Sequence, residues 1–154
     1  NYRRLTRIPT PVRTKVSVAE LFTDLKKLFP EEEFQFEVPS PELKLNVDRT
    51  QIEQILINLL KNAREACSRK SDKKIQVKAR KLSAGNTTLT ISDNGEGILP
   101  DVLDKIFVPF FTTKTSGSGI GLSLCKQIMT LHDGSINVKS EIGKGSCFIL
   151  TFPK

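Results

Sequence analysis

Residues 87–97 read Thr-Thr-Leu-Thr-Ile-Ser-Asp-Asn-Gly-Glu-Gly, a stretch in which an alternating strand pattern runs directly into a polar turn. Asp93 therefore ends a predicted strand, beside two residues that carry no side chain, Gly95 and Gly97. Glycines let a planar ligand approach the backbone closely, and a carboxylate there can accept a hydrogen bond from an exocyclic amine. Taken alone, Asp-Asn-Gly equally indicates a plain turn.

A second glycine stretch, Gly117-Ser118-Gly119-Ile120-Gly121, leads directly into a predicted helix over about 120–131. The backbone N–H groups of such a loop, with the positive end of a helix behind them, favour phosphate binding. It is not a Walker A loop, because no Gly-Lys-Ser/Thr follows. Nor is it the dinucleotide pattern, because the third glycine comes one residue early. Lys114, just upstream, can supply a compensating positive charge.

The segment 97–119, between these glycine stretches, shows no helical or strand period and collects Gly, Pro, Ser and Thr. Loops of this length in compact domains are usually functional, so we interpret it as a lid. Phe107, Phe110 and Phe111 form an apolar group inside it. They are either anchors by which a lid docks and releases, or core residues.

Asn58 and Asn62 lie four residues apart on a predicted helix and share one of its faces. Beside a phosphate, their amide oxygens would suit Mg²⁺, which prefers oxygen ligands and usually shares them with phosphates and water. The alternative is that both amides only bond to backbone at the edge of the helix.

The pattern of the whole chain predicts helices on one face of a mixed sheet. Ser17 caps a first helix that ends before Pro30, and Asp48 caps a second that runs to about Ser68. We predict strands at 33–38, 43–47, 75–82, 87–92, 135–140 and 146–152, with the first two joined as a hairpin.

Composition and charge argue against several classes of protein, namely nucleic-acid-binding, membrane-spanning, disulfide-bonded and zinc-binding ones. The net charge of +7 is local, because residues 1–15 carry five Lys or Arg and no acid, and residues 61–81 carry nine against two acids. Except for Tyr2, the two basic stretches contain no aromatic residue that could stack on bases, and known DNA-binding or RNA-binding patterns are lacking, so we expect no nucleic-acid partner. No apolar run is long enough for a membrane span, and we expect no membrane contact. Three unclustered cysteines support neither disulfides nor zinc, which fits a cytoplasmic setting.

The order and spacing of these motifs resemble the GHKL superfamily of ATP-binding domains. Asn62, Asp93-x-Gly95-x-Gly97, the phenylalanines, Gly117-x-Gly119-x-Gly121 and Gly143-x-Gly145 match its N, G1, F, G2 and G3 boxes, over about residues 17–153. Within it, residues 58–66 and 110–114 resemble sensor histidine kinases, in particular the nitrogen-regulator-like group. The resemblance implies an α+β fold, a two-layer α/β sandwich with helices on one face of a mixed β-sheet.

The resemblance also implies an ATP site between the long helix and the lid. Asp93 would read the adenine amino group, Asn62 with Asn58 would hold Mg²⁺, and the glycines from 117 to 121 would wrap the phosphates. We take Asn58, Asn62 and Lys114 as catalytic. The other candidate nucleotide contacts are Glu65, Asp93, Gly95, Gly97, Ile98, Phe107, Thr113, Lys114, Gly117, Ser118, Gly119, Ile120, Gly121, Leu122 and Ser146.

Two departures from the family pattern bear on mechanism. Many histidine kinases carry a lysine where this chain has Glu65, so the cationic role passes to Lys114. The hydrolases of the superfamily carry a glutamate that activates water where this chain has Asn58. An amide cannot act as a general base, which disfavours a hydrolase.

The only histidine, His132, lies at a predicted helix end, outside any acceptor motif. We therefore interpret residues 1–15 as a linker from a separate helical dimerisation and phosphoacceptor domain, and residues 16–154 as the catalytic domain. The expected partners are that domain, in a homodimeric parent, and a response regulator. The alternatives are a serine kinase of the anti-sigma type and a nucleotide-binding module without kinase activity.

Overall fold

The structure is a computed structural model that describes residues 8–38, 40–108 and 121–154. Its first two long helices each begin at a residue whose side chain caps the helix. Helix α1 runs Val18–Leu28, and its cap Ser17 accepts a hydrogen bond from the backbone N–H of Glu20 at 3.2 Å. Helix α2 runs Arg49–Ala66, and Asp48 accepts from the N–H of Gln51, also at 3.2 Å. Both caps are confirmed as predicted.

In the described part of the chain, seven strands form two sheets. They are β1 Thr14–Ser17, β2 Phe34–Glu37, β3 Lys44–Val47, β4 Ile75–Lys81, β5 Thr87–Asp93, β6 Ser135–Glu141 and β7 Gly145–Phe152. Strands β1 and β3 pair as a small antiparallel sheet, and the others form a five-stranded sheet in the order β2-β4-β5-β7-β6. Only β2 and β4 are parallel in this larger sheet. The predicted mixed sheet is confirmed.

The predicted hairpin between residues 33–38 and 43–47 is wrong. Strand β2 pairs in parallel with β4, with Phe34 opposite Ile75, while β3 pairs with β1, with Leu45 opposite Val16. Both strands have the alternation that was predicted, but alternation fixes which face is buried and not which strand is the neighbour.

Strand β1 was not predicted, and it begins inside the segment interpreted as a linker. Further contacts tie the described part of that segment to the domain. The N–H of Val12 donates to the Asp48 carboxylate at 2.9 Å, and the Gln51 side chain donates to the carbonyl of Pro9 at 2.9 Å. The role of residues 1–15 as a connection between domains stays a prediction, and residues 1–7 lie outside the described ranges.

Helices α1, α2 and α4, the last spanning Gly121–Leu131, cover one face of the five-stranded sheet. The buried stripe of α2 meets the inward residues of β4, β5 and β7, which gives the predicted two-layer α+β fold. A one-turn helix, α3 (Pro100–Leu103), was not predicted. The fully buried core side chains include Leu21, Phe34, Ile52, Ile55, Leu56, Leu59, Leu60, Ile75, Leu89, Ile91 and Ile128.

His132, at the end of α4, is buried and joins two layers of the fold. Its Nδ1 lies 2.9 Å from the carbonyl oxygen of Ile128, and its Nε2 accepts from the N–H of Asp48 at 3.1 Å. Its role is therefore structural. The three cysteines are free thiols. Among the helices in the described ranges, none has the length and apolar character needed to cross a membrane.

Candidate functional site

Asp93 lies at the end of β5, between Ile75 of β4 and Ser146 of β7. Its carboxylate is half-buried and accepts a hydrogen bond from the N–H of Gly95 at 2.8 Å. Burial raises the pKa of Asp93 above its ordinary value, and the backbone N–H groups of Gly95 and Ser146 offset part of that rise. The carboxylate is therefore a hydrogen-bond acceptor partly shielded from water, where a hydrogen bond from a matching donor is stronger than in water.

Asn94 fixes the loop that follows β5. Its side-chain oxygen accepts from the N–H of Lys74 at 2.9 Å and from the thiol of Cys67 at 3.5 Å, while its amide nitrogen donates to the carbonyl of Asp72 at 2.8 Å. The bonds to Lys74 and Asp72 join the turn before β4 to the end of β5, and the bond to Cys67 joins it to the end of α2. Sequence reasoning missed this residue, because all three partners lie 20 or more positions away.

Gly95 and Gly97 are required by the close approach of the protein's own backbone. A Cβ at Gly95 would lie 2.5 Å from the carbonyl oxygen of Ala66, the last residue of α2. Gly97 has a φ of +80°, and its Cβ would lie 2.3 Å from the carbonyl oxygen of Glu141. The glycines were expected to let a planar ligand approach the backbone. In the structure they instead let other backbone segments of the protein pack closely against this loop.

The turn between β6 and β7 holds the same loop from the other side. The N–H of Gly143 donates to the carbonyl of Glu96 at 2.9 Å, and the hydroxyl of Ser140 accepts from the N–H of Ile98 at 2.8 Å. The same hydroxyl donates to the carbonyl of Gly145 at 3.1 Å and lies 2.8 Å from the hydroxyl of Ser146. Residues 141–145 therefore form a tight turn between β6 and β7, and this turn borders the loop after Asp93.

Asn58 lies against the start of α4. A Cβ added to Gly121 would come within 2.7 Å of Oδ1 and 3.1 Å of Nδ2 of Asn58. Asn62 lies one turn further along α2, half-buried, and Glu65 is exposed near the end of that helix. Asn58 thus borders the first residue of α4.

One face of α2 links the two halves of the site. Asn58 meets Gly121 at one end, Asn62 follows, and Ala66 meets Gly95 of the Asp93 loop at the other. From Asn58 to Ala66 the helix axis rises about 12 Å. The structure therefore brings Asp93, the asparagines and Gly121 together along one elongated strip.

Several predicted site residues lie outside the described ranges: Thr113, Lys114, Gly117, Ser118, Gly119 and Ile120, with Phe110 and Phe111. Their roles stay predictions. Ile98, Phe107 and Leu122 are partly buried and pack against the core. The ammonium of Lys126 lies 5.8 Å from the centre of the Phe107 ring. For Phe107 these contacts favour the core interpretation.

The donor set in the described part of the site consists of amide oxygens and one carboxylate. Within residues 8–38, 40–108 and 121–154 no three His, Cys, Asp or Glu side chains lie close enough to share a metal ion. Amide oxygens beside a phosphate suit Mg²⁺, which prefers oxygen ligands and keeps water and phosphate oxygens as its other ligands. The two asparagines fit that chemistry.

Comparisons with known proteins agree with this geometry. Residues 47–154 match the family model described as "Histidine kinase-, DNA gyrase B-, and HSP90-like ATPase". The sensor histidine kinase ZraS of Salmonella typhimurium strain LT2 is 39% identical over 110 residues, which are 71% of this chain and 23% of that protein. The chain spans well under half the length of the curated relatives it matches.

Solved structures give the same result. The nucleotide-free catalytic domain of the histidine kinase ThkA superposes with a TM-score of 0.80 at 34% identity, covering 92% of this chain and 95% of that one. The complex of ThkA with the response regulator protein TrrA matches with a TM-score of 0.74 at 31% identity, covering 92% of this chain and 42% of that one.

Proposed function

This chain belongs to the family of histidine kinase-, DNA gyrase B- and HSP90-like ATPases, and we propose that it is the catalytic domain of a sensor histidine kinase. In this proposal it binds ATP and passes the γ-phosphoryl group to a histidine on a separate dimerisation domain. The observation that carries the proposal is the strip along α2. It joins the half-buried carboxylate of Asp93 to the side-chain amide of Asn58, which lies beside the first residue of α4.

Asp93 would identify the adenine. Its carboxylate is positioned by the N–H of Gly95 and would accept a hydrogen bond from the exocyclic amine of the base. The loop around it is held by Asn94 on one side and by Ser140 and Gly143 on the other, so its shape is set before a nucleotide binds. A preorganised acceptor gives specificity because little ordering remains to be done on binding.

Asn62, with Asn58, would hold Mg²⁺ against the phosphates, and the glycines at 117, 119 and 121 would wrap them. The close approach of Gly121 to the Asn58 amide supports this, since it puts the start of α4 within reach of an oxygen donor. The metal would neutralise phosphate charge during transfer. Lys114 would add a positive charge that Glu65 cannot supply.

The step proposed is transfer and not hydrolysis. The bond between the γ-phosphorus and its bridging oxygen breaks, ADP leaves, and a phosphorus–nitrogen bond forms at the acceptor imidazole, which loses its proton. Phosphoryl transfer needs mostly positioning and charge neutralisation. Hydrolysis needs a base to activate water, and Asn58 stands where the hydrolases of this family carry one.

The partners in this proposal are the dimerisation and phosphoacceptor domain of a homodimeric parent and a response regulator. The sensor histidine kinases among the relatives and the ThkA–TrrA complex support it. Membership in the nitrogen-regulator-like group stays a prediction.

Labelling in trans tests the proposal. The chain is mixed with ATP carrying labelled γ-phosphate and with the separately prepared acceptor domain of the same parent. We expect weak labelling of the acceptor, since the two domains are no longer tethered, with a label lost in acid and retained in base. The chain alone should neither label itself nor hydrolyse ATP appreciably. An acid-stable label would favour a serine kinase, and strong hydrolysis by the chain alone a hydrolase.

A further inference from the structure

A second concave region lies at the end of the five-stranded sheet opposite the candidate nucleotide site. We call it the basic groove. It is a cavity of about 750 Å³ between strand β3 on one side and, on the other, the β4–β5 turn with residues 152–154. Thr87 borders it at the start of β5, whereas Asp93 ends that strand, on the order of 20 Å away. The two sites are therefore separate.

Cations dominate the groove. Its lining includes Arg13, Lys15, Lys44, Arg80, Lys81 and Lys154, and the single acidic residue Glu42. Arg13 is paired with Asp133 at 3.3 Å. The other five cations form no ion pair with any residue in the described parts of the chain. Such an excess of uncompensated charge creates a positive potential that is relieved by an anionic partner.

One wall of the groove is an open strand edge. The N–H of Val18 donates to the carbonyl of Leu43, and in an antiparallel pair such bonded positions recur at every second residue. Leu45 and Val47 therefore bond to β1, while the N–H and C=O groups of Lys44 and Asn46 point away from it. Asp48, two residues after Asn46, also directs its N–H away from β1. This N–H donates to Nε2 of His132, which lines the same groove.

We propose that the basic groove binds an extended, acidic segment of a partner protein, which adds as a strand to the outer edge of β3. The backbone groups of Lys44 and Asn46 would supply the hydrogen bonds, as in other cases of strand addition. Lys15 and Lys44 on one wall, and Arg80, Lys81 and Lys154 on the other, would receive the acidic side chains.

Polypeptide fits this groove better than nucleic acid. The aromatic rings in the lining belong to Phe152 and His132, and each of these residues is only 2% exposed, so the described part of the groove offers no exposed aromatic ring on which bases could stack. A phosphodiester chain would satisfy the cations but leave the open edge of β3 without its alternating donors and acceptors. A strand of acidic residues satisfies both features.

The probe for a test is a fluorescent peptide of about ten alternating Glu and Thr residues, roughly twice the length of β3. We expect saturable binding by anisotropy that weakens about tenfold in the pair Lys44→Glu with Arg80→Glu. The matched control reverses two exposed charges outside the groove, Arg69→Glu with Lys139→Glu, and should retain binding. Circular dichroism and ATP affinity should be unchanged in both pairs.

Two measurements separate strand addition from simple charge attraction. Methylating alternate backbone nitrogens of the peptide removes its donors and should weaken binding by about tenfold. Amide exchange should slow at Lys44 and Asn46 but not at Leu45 and Val47, which already bond to β1. Undiminished binding of the methylated peptide, equal binding by the Lys44/Arg80 variant, or tighter binding of a single-stranded DNA of matched charge would overturn the proposal.

Discussion

Gly121, the first residue of α4, lies so close to the Asn58 side chain on α2 that a Cβ there would be 2.7 Å from Oδ1. Real Cβ atoms do not approach an oxygen so closely, so any larger residue at 121 must turn the amide away. Glycine at this position therefore lets the Asn58 amide keep its orientation, in addition to any contact with a phosphate.

We predict that Gly121→Ala weakens MgATP binding by roughly tenfold, about 1.4 kcal/mol, while protein stability changes little. The clash with Asn58 costs stability, but alanine recovers up to about 1 kcal/mol of helix propensity. Calorimetric titration and urea unfolding measure the two quantities. In an Asn58→Ala background the substitution should have little further effect on affinity. An equal loss in both backgrounds would show that the asparagine is not the group disturbed.

Asp93→Asn should weaken ATP binding by roughly 1–3 kcal/mol, since an amide can present a donor where the adenine amine needs an acceptor. The affinity for GTP, whose base carries a carbonyl at the same position, should fall less than the affinity for ATP. Titration of both nucleotides checks this. Unchanged ATP affinity would remove Asp93 from the site.

The same variant should show the pH dependence that the raised pKa of Asp93 implies. Burial raises this pKa in the folded state, so the ionised carboxylate destabilises the native protein at neutral pH. That cost is present above the raised pKa and disappears below the ordinary value for Asp. Without nucleotide, Asp93→Asn should therefore be more stable than the wild type near neutral pH, and the difference should shrink as the pH falls. A difference that grows in acid would contradict the assignment.

Asn62→Asp is expected to impair phosphoryl transfer more than nucleotide binding, because it alters Mg²⁺ placement and leaves the adenine contacts unchanged. The rate of acceptor labelling in trans should fall by at least about tenfold, with a smaller change in ATP affinity. Ser83→Asp is the matched control, because Ser83 is exposed in the β4–β5 turn and the substitution adds the same charge far from the site. Labelling that survives Asn62→Asp would exclude the metal role.

Asn94→Ala should lower the free energy of unfolding by roughly 0.5–1.5 kcal/mol for each hydrogen bond lost, because it removes the side chain that bonds to the N–H of Lys74 and to the carbonyl of Asp72. Asn94→Asp keeps the acceptor for Lys74 but places a carboxylate oxygen against the carbonyl oxygen of Asp72, so it should also destabilise the protein. Asn137→Ala, at an exposed position on β6, is the control and should be nearly neutral. Equal effects at 94 and 137 would mean that the loop is held by other contacts.

The parts of the site that were predicted from sequence are those whose geometry is local. Asn58 and Asn62 share a helix face because they are four residues apart, and Asp93 ends a strand because alternation stops there. Asn94 and Ser140 were missed because their partners lie in other segments, which no local period indicates. The partner of β2 was missed for the same reason. A short alternating strand carries no information about which distant edge it will join.

The interlock between the loop after Asp93 and the turn at 141–145 has a consequence for synthesis of the protein. Strand β5 takes one neighbour, β4, from earlier in the chain and the other, β7, from later. A nascent chain released as far as α4 therefore already contains Asp93 and both asparagines but lacks Ser140, Gly143 and Gly145, which hold the loop in place. The candidate nucleotide site can therefore be completed only after β7 has left the ribosome. A stalled or prematurely terminated product would thus be unable to capture ATP.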